Sequence, residues 1–409
     1  MQAPLHLRLI NYGACVLALA VLVGYARLLN PEVDDFLLYW QAALDLRRYG
    51  NPYVSSEIEF AYPPPFAYIV LPFSFLDHPT SQLVWFVFNS IALWGFVLLT
   101  LRVCAFRLAC RYWGGVLLLV VLAPPTRSGL LIGQVGILIA LLMVGSYWYS
   151  RQRPGVAGGV LALATAIKLY PGWLGVYHLL RQQYRIVASA VGVGVGLLVL
   201  PVLVHGVTPY VDFVREMFSG RLYPHTAEFN ISVTGFFQRL LTVHRYGIAI
   251  AVQPMLANIL IGGCSLALVV LCLVTRTSDT REPERLLGYS LWICVMLLLS
   301  PVNGYYNLVV VLLPVLAMLR WLEQHPNRRV LVWVGIATLL CCIQPGWTRL
   351  HPTLYTSLHT GWGLVLLTPA LYGLLLYTGL LVYMNRQAVV GARQPQPEHP
   401  TPETSAPAH

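Results

Sequence analysis

Two adjacent carboxylates, Asp34 and Asp35, follow the first apolar segment of the chain, with Tyr39 close behind them. The stretch between Asp77 and Asp212 contains no Asp or Glu, so acid–base chemistry has few other places in the sequence. A carboxylate just outside an apolar segment can take the proton of a hydroxyl while that hydroxyl attacks a substrate. Asp34 also suits the N-cap of the helix that follows. We therefore predict a general base at Asp35, with Asp34 as the second candidate.

Lys168 is the only lysine among 26 basic residues, and it follows an apolar segment, three residues before Pro171. Because proline breaks a helix, Lys168 is expected where a helix ends. A cation at that place suits a phosphate group, and the position equally suits a lysine that extends its amine toward water. The further cations able to neutralise a phosphate are Arg127, Arg215, Arg221, Arg239, Arg349, His225 and His351.

Several uncharged polar residues border apolar segments. Gln134 stands at the start of one segment, and Asn230 and Ser232 lie near the end of a long polar connection. Residues at such places cap helices, or they bind a polar ligand held against an apolar surface. The residues predicted to bind substrate are Gln134, Asn230, Ser232, Lys168, Tyr39, Arg239, Arg221 and His225.

Membrane helices must position these residues. With 57% hydrophobic and only 10% charged residues, the chain lies far from the composition of a soluble domain. Apolar segments recur, and an all-α polytopic membrane protein with a bundle of about 10–13 transmembrane helices is predicted, since each crossing needs about 20 residues. The candidate spans are residues 10–29, 81–101, 113–123, 133–149, 155–168, 170–180, 186–205, 246–274, 286–300, 304–321, 329–343 and 362–384.

The basic residues indicate the orientation of the bundle. Of the 26, 16 lie at the ends assigned to the cytoplasm, which is the bias of the positive-inside rule. Because they cluster in short connections, the net charge of +10 does not favour nucleic-acid binding. Residues 1–390 are predicted to form one integral membrane domain, with long extracytoplasmic loops at 30–80 and 206–245. Residues 391–409 lack apolar periodicity and are predicted to be a disordered cytoplasmic tail.

Three further features bear on the architecture. The first apolar segment is too long for a typical signal peptide and lacks a clear cleavage site, so we predict that it is retained. Three consecutive prolines, residues 63–65, predict an extended entry into the next apolar segment and exclude a helix there. The eight cysteines show neither a disulfide framework nor metal-ligand spacing. We therefore expect no metal and no cofactor.

Six short patterns occur in order along residues 10–385. They are Asp35-Phe36 with Tyr39, Tyr62-Pro63-Pro64 before Leu71-Pro72, Gly133-Gln134, Lys168 with Pro171, Asn230-Ile231-Ser232 with Gly235 and Arg239, and Ser300-Pro301. In a multispan protein this order resembles glycosyltransferase family 87, the polytopic GT-C enzymes that include polyprenol-phosphate-mannose-dependent α-mannosyltransferases.

The resemblance implies an inverting, metal-independent hexosyltransferase, with mannose as the expected sugar. Its donor would be a polyprenyl-phosphate sugar, its acceptor a lipid or glycan, and its site would face the extracytoplasmic side of the cell membrane. Asp35 matches the family's catalytic aspartate, while Lys168 and the 230–239 stretch match positions that line the donor cavity. Some members carry a histidine after the Ser-Pro element, where this chain has Val302-Asn303-Gly304-Tyr305-Tyr306-Asn307.

Two other classes of function fit a polytopic bundle. A transporter or lipid flippase would use similarly broken helices, although ion-coupled transporters place carboxylates within their spans and these spans contain essentially none. A non-catalytic scaffold gives no reason for an acidic loop near a lone membrane cation. Glycosyl transfer differs from both because it consumes a phosphosugar.

Overall fold

The computed structural model describes residues 4–32, 34–55, 60–218, 225–275, 282–344, 346, 349 and 351–391. Within these ranges the regular secondary structure consists of helices, with only isolated β-bridges besides, which confirms the predicted all-α class. The α-helices are α1 (Leu5–Ala26), α2 (Phe36–Tyr49), α3 (Pro64–Val70), α4 (His78–Cys104), α5 (Arg107–Arg111), α6 (Trp113–Leu122), α7 (Pro124–Leu131), α8 (Gly136–Tyr149), α9 (Pro154–Ile167), α10 (Trp173–Leu180), α11 (Tyr184–His205), α12 (Thr208–Phe218), α13 (Val233–Leu241), α14 (Pro254–Val274), α15 (Glu284–Leu299), α16 (Leu312–Gln324), α17 (Arg328–Cys342), α18 (Pro352–Leu358) and α19 (Pro369–Gly391). Short 3-10 helices lie at Leu71–Phe75, Tyr170–Gly172, Tyr305–Val311 and Gly361–Leu366.

Several helices have the length and composition of membrane spans, so the protein is a multi-pass membrane protein, as predicted. In the described parts of the chain, the five helical stretches that meet both criteria are Leu5–Ala26, His78–Cys104, Tyr184–His205, Pro254–Val274 and Tyr305–Gln324. Helices α6 and α7 add a sixth if they form one span, bent by 63°. Other predicted spans correspond to shorter helices, such as α8 and α9 with 14 residues each. Such helices need neighbouring protein to shield the backbone at their ends.

The helices divide into a buried centre and a perimeter. Every residue of α15 from Arg285 to Leu298 is buried, which makes α15 the middle of the core. Helices α11 and α14 are equally apolar, yet they bury only two residues each. A helix that is apolar all round and exposed to its surroundings belongs against lipid. The two helices therefore form part of the lipid-facing surface.

Polar contacts gather at the two ends of the bundle. At one end, the Arg107 N–H donates to Glu323 over 3.1 Å and the Arg285 guanidinium donates to Ser150. The first contact joins the start of α5 to the end of α16, and the second joins the start of α15 to the residue after α8. The other end carries the two long connections predicted at 30–80 and 206–245. All predicted site residues that the structure describes lie at this second end.

The long connections contain helices of their own. Helices α2 and α3 lie in the first, and α12 and α13 lie in the second. The prediction that residues 63–65 exclude a helix was wrong, because α3 begins at Pro64 with Pro63 at its N-cap. Proline is accepted in the first helical turn, where backbone N–H groups have no partner within the helix. The predicted tail begins at the last residue of α19, and the rest of it lies outside the described residues.

Candidate active site

Asp35 is anchored by the turn that follows α7. Its backbone N–H donates to the Ile132 carbonyl over 2.9 Å, and the Gln134 side-chain amide donates to its carboxylate. Between these two contacts, Gly133 has a φ of +71°, and a Cβ there would lie 2.6 Å from the Cβ of Phe36. Only glycine suits a left-handed backbone at so close an approach. The turn therefore fixes Asp35 at the start of α2.

The side chain of Gln134 connects Asp35 to two tyrosines. Its Oε1 accepts hydrogen bonds from the hydroxyls of Tyr39, at 3.2 Å, and Tyr62, at 3.4 Å. The two hydroxyls also lie 2.8 Å from each other, and both rings are fully buried. Tyr39 and Gln134 thus make their described contacts with the protein around Asp35, and their predicted contact with substrate stays a prediction.

Asp34 has a different set of partners. Its Oδ1 accepts the Leu37 N–H over 3.0 Å, while its Oδ2 accepts from the Gln82 amide and lies 3.5 Å from Nε2 of His78. This is the helix-capping geometry that the sequence also allowed. Burial raises the pKa of Asp34 to about 6, although the hydrogen bonds from Leu37 and Gln82 oppose the shift. The two adjacent carboxylates therefore occupy distinct environments.

Burial also raises the pKa of Asp35 above its ordinary value. The hydrogen bond from Gln134 and the positive charge of Lys168 act in the opposite direction, because both favour the ionised carboxylate. The balance leaves a carboxylate that binds a proton more readily than one in water. A general base works best when its pKa lies near the working pH, so this environment suits Asp35 for proton removal.

Lys168 ends α9, and its ammonium lies within a cage of three tyrosine rings. The distances from Nζ to the ring centres are 5.4 Å for Tyr62, 5.9 Å for Tyr170 and 5.8 Å for Tyr306. Aromatic faces attract a cation and partly replace its lost hydration. Gly304 makes room for one wall, since a Cβ there would lie 2.2 Å from Cζ of Tyr306. The tyrosine cage therefore holds a positive charge away from bulk water.

A cavity of about 620 Å³ opens beside this ammonium. The residues lining it are Ala61, Pro63, Lys168, Leu169, Tyr170, Gly172, Trp173, Val176, Met217, His225, Met296, Leu299, Ser300, Pro301, Val302 and Tyr306. Most of this wall is apolar, and polar groups are few. Leu169, Val176 and Met217 are also among the exposed large hydrophobic residues of the protein. The cavity is therefore open to its surroundings near α10 and α12.

His225 lines the cavity, and its predicted contact with substrate stays a prediction. Its Nδ1 lies 3.4 Å from the Pro301 carbonyl, so this residue joins the second long connection to the Ser300-Pro301 element. Arg221 lies outside the described residues. The structure thus brings Lys168 and His225 to one cavity, with the Asp35 carboxylate close enough for the Lys168 charge to lower its pKa.

The side chains of Asn230 and Ser232 form hydrogen bonds that hold the second long connection in place. The Asn230 side-chain amide donates to the carbonyls of His225, at 2.8 Å, and Pro301, at 3.0 Å. The Ser232 hydroxyl donates to the same Pro301 carbonyl and accepts the Gly235 N–H, which caps α13. Both side chains are fully buried. These residues hold His225 and Pro301 at the cavity wall, and their predicted contact with substrate stays a prediction.

Arg239 is likewise fully buried. Its guanidinium donates to the carbonyls of Ala227, at 2.8 Å, and Asn230, at 2.9 Å, and to the Thr368 hydroxyl at 3.2 Å. Its contacts therefore join α13 to the loop that precedes it and to the start of α19. Arg239 is not among the residues that line the cavity, and its predicted role in binding substrate stays a prediction.

The sequence analysis missed two features of this end of the bundle. One is the tyrosine cage, although Tyr62, Tyr170 and Tyr306 each lie within or beside one of the six patterns. The available signal was Tyr170, which follows Lys168 by two residues in the sequence. The other feature is Glu228, which accepts from Arg349 and lies 3.4 Å from Nε2 of His359. These groups come from distant parts of the chain, so their spacing gave no signal.

The chain is therefore a polytopic membrane protein with a partly buried carboxylate and, connected to it through Gln134 and Tyr62, a caged lysine that lines a mostly apolar cavity. Across the described residues, no group of three or more His, Cys, Asp or Glu side chains could hold a metal ion. The model of glycosyltransferase family 87 matches residues 60–301, more than half of the sequence. The chain belongs to glycosyltransferase family 87 and is a membrane glycosyltransferase. Asp34 and Asp35 lie before the matched range.

Two relatives of the chain share one name, polyprenol-phosphate-mannose-dependent alpha-(1-2)-phosphatidylinositol pentamannoside mannosyltransferase. The protein from Mycobacterium tuberculosis is 28% identical, and the alignment covers 81% of this chain and 80% of the relative. The protein from Mycolicibacterium smegmatis is 25% identical over 70% of each chain. No solved structure matches the chain significantly.

Proposed function

We propose that the protein transfers a hexose, mannose in the first instance, from a polyprenyl-phosphate sugar to a lipid or glycan acceptor. The observation that carries the proposal is the Lys168 ammonium at the wall of an apolar cavity, linked to the Asp35 carboxylate through Tyr62 and Gln134. The relatives named for a polyprenol-phosphate-mannose donor and a mannosylated phosphatidylinositol acceptor support the choice of sugar and the lipid nature of both substrates.

Asp35 acts as the general base in this proposal. Its carboxylate takes the proton of an acceptor hydroxyl while the hydroxyl oxygen attacks the anomeric carbon of the donor. The bond between that carbon and the phosphate oxygen breaks, and its electron pair leaves with the polyprenyl phosphate. Attack on the face opposite the leaving group inverts the anomeric centre, as in inverting glycosidases. The proton ends on Asp35.

Lys168 and His225 receive the phosphate. A phosphate is already a weak base, so it needs positive charge more than it needs a proton as it leaves. The tyrosine cage keeps the Lys168 ammonium at the cavity wall, where weak screening strengthens its attraction to an anion. Lys168 and His225 both line the cavity, and together they define its phosphate end.

The polyprenyl chain occupies the apolar part of the cavity. Leu169, Val176 and Met217 line the cavity and also face outward, so a lipid tail can extend sideways into the bilayer. The apolar lining gives this chain a favourable surface to bury. We place the cavity on the extracytoplasmic side of the cell membrane, because most arginines lie at the opposite end of the bundle.

The proposal includes no metal. One carboxylate, the Lys168 ammonium and the His225 imidazole supply the proton transfer and the stabilisation of the leaving phosphate that the step requires. The described residues also offer no cluster of three potential metal ligands. We therefore expect transfer to proceed in the presence of a metal chelator.

The test uses the purified full-length protein in vesicles with polyprenyl-phosphate mannose labelled in the sugar. We expect the labelled lipid to be consumed and the label to appear in an acceptor extracted from bacterial membranes. Parallel reactions with glucose and arabinose donors identify the sugar. A donor that moves across the vesicle membrane without being consumed would support the transporter or flippase instead.

A further inference from the structure

The amide group of Gln134 has one orientation that satisfies all its neighbours. Its Oε1 faces the hydroxyls of Tyr39 and Tyr62, and its Nε2 donates to Oδ2 of Asp35. A rotation of the amide by half a turn would place its oxygen against the carboxylate and its NH2 group against the hydroxyls. Because a carboxylate only accepts hydrogen bonds, the observed orientation is favoured. The carboxylate accepts from the NH2 group and the two hydroxyls donate to the amide oxygen, so both sets of contacts hold the amide in this orientation.

Hydrogen bonds to the backbone also fix the position of Gln134. The Gln134 N–H donates to the Gly129 carbonyl over 2.8 Å, and the Gly133 carbonyl accepts the Trp85 indole N–H over 2.7 Å. Gln134 is fully buried, so water does not compete for its amide. Its side chain thus has little freedom to move toward a ligand in the cavity.

We infer that Gln134 is a positioning residue that holds one oxygen of Asp35 and leaves the other for the acceptor hydroxyl. This inference rests on the proposed role of Asp35 as the base, and it differs from the substrate-binding role predicted for Gln134 from the sequence. A hydrogen bond to the ionised carboxylate favours that form and fixes the rotation of the group. Asp35 then meets the acceptor both unprotonated and aligned.

The substitution Gln134→Met tests the inference, because methionine has a similar length and cannot donate a hydrogen bond. The charges nearest to Asp35, those of Asp34 and Lys168, stay in place. Loss of a hydrogen bond to a charged group should lower kcat by about 10- to 100-fold at neutral pH. It should also move the acid limb of the kcat–pH profile upward by about one unit or more. The KM for the donor should stay within about twofold of the wild-type value.

Gln82→Met is the matched control. Gln82 donates to Asp34 as Gln134 donates to Asp35. The Gln82→Met substitution therefore removes an equivalent hydrogen bond from the neighbouring carboxylate. We expect its acid limb to coincide with that of the wild type. If Gln134→Met fails to fold, the double variant Tyr39→Phe, Tyr62→Phe takes its place. That variant keeps both rings and removes the two hydroxyls that orient the amide.

The results separate this inference from the function on which it depends. An acid limb unchanged in Gln134→Met would overturn the positioning role. A raised donor KM with unchanged kcat would also overturn it, and would assign Gln134 to substrate binding. If the wild-type protein consumes no polyprenyl-phosphate sugar while it stays folded, the proposed function itself fails.

Discussion

Two polar regions lie at the same end of the bundle, and they differ in where their polar atoms point. Around Asp35 and Lys168, an ammonium lines a cavity within a cage of tyrosines, and hydrogen bonds through Gln134 connect those tyrosines to the carboxylate. Around Asn230 and Arg239, the side chains donate to backbone carbonyls and to one hydroxyl. Each region contains residues from the six short sequence patterns. The difference shows that a polar residue in such a pattern can lie at the cavity wall or hold the loop that shapes the cavity.

The largest expected effect concerns the base. Asp35→Asn keeps the shape of the side chain and removes its ability to take a proton, so kcat should fall by about 10²- to 10⁴-fold. Turnover of labelled donor by purified protein measures the effect. Asp34→Asn should cost much less, since asparagine also caps a helix. Near-normal turnover in Asp35→Asn would move the chemistry away from the Asp35–Lys168 region.

The next effect concerns the caged cation. Lys168→Met removes the charge that faces the leaving phosphate, and we expect kcat/KM to fall by about 10²-fold, the usual cost of losing one stabilising donor. Lys168→Arg should recover part of this loss because it restores the charge. Equal activity in the methionine and arginine variants would show that the charge of Lys168 has no role in transfer.

A single ring of the tyrosine cage should contribute less to kcat/KM than the charge of Lys168. Tyr306→Leu keeps an apolar side chain at the cavity but removes one aromatic face from Lys168, a change of about 1 kcal/mol. We expect kcat/KM to fall by roughly fivefold, in line with that energy. Steady-state kinetics with the lipid donor measures the loss. A loss as large as that of Lys168→Met would indicate that the Tyr306 ring contacts the sugar directly.

The smallest effect on kcat is expected for a substitution in the region around Asn230 and Arg239. Arg239→Met removes the guanidinium that donates to the carbonyls of Ala227 and Asn230, of which only Ala227 keeps another donor, the Asn230 N–H, so the folded state should lose about 2–4 kcal/mol. Thermal unfolding in detergent should show this as a lower midpoint. The kcat of the protein that remains folded should stay within about threefold of the wild type. A normal midpoint with a large loss of kcat would assign Arg239 to the site.

The acid limb of the wild-type profile gives a separate check. Asp35 must be ionised to act as a base, and burial raises its pKa above the ordinary value. Activity should therefore be lost, as the pH falls, at a higher pH than an exposed aspartate would require. The kcat–pH profile of the wild type in vesicles measures this limb, and Asp35→Glu should shift it without abolishing it.

The sequence predicted the class of fold because hydrophobic segments of span length are a local property. Asp35, Lys168 and His225 were selected as site residues because ionisable side chains are rare in an apolar chain, and their roles stay a prediction. The sequence could not predict that Gln134, 99 residues after Asp35, donates to its carboxylate, because that pairing depends on how α2 packs against the turn after α7. The helix at Pro64 was missed for another reason, since the rule against proline applies within a helix and not to its first turn.

The open side of the cavity near α10 and α12 has a consequence for the proposed lipid donor. Because Leu169, Val176 and Met217 line the cavity and are exposed, we expect this donor to arrive by diffusion within the plane of the bilayer. The relevant concentration is then the mole fraction of donor among the membrane lipids. Dilution of vesicles in buffer should leave the rate per enzyme unchanged, while dilution of the donor with inert phospholipid should lower it.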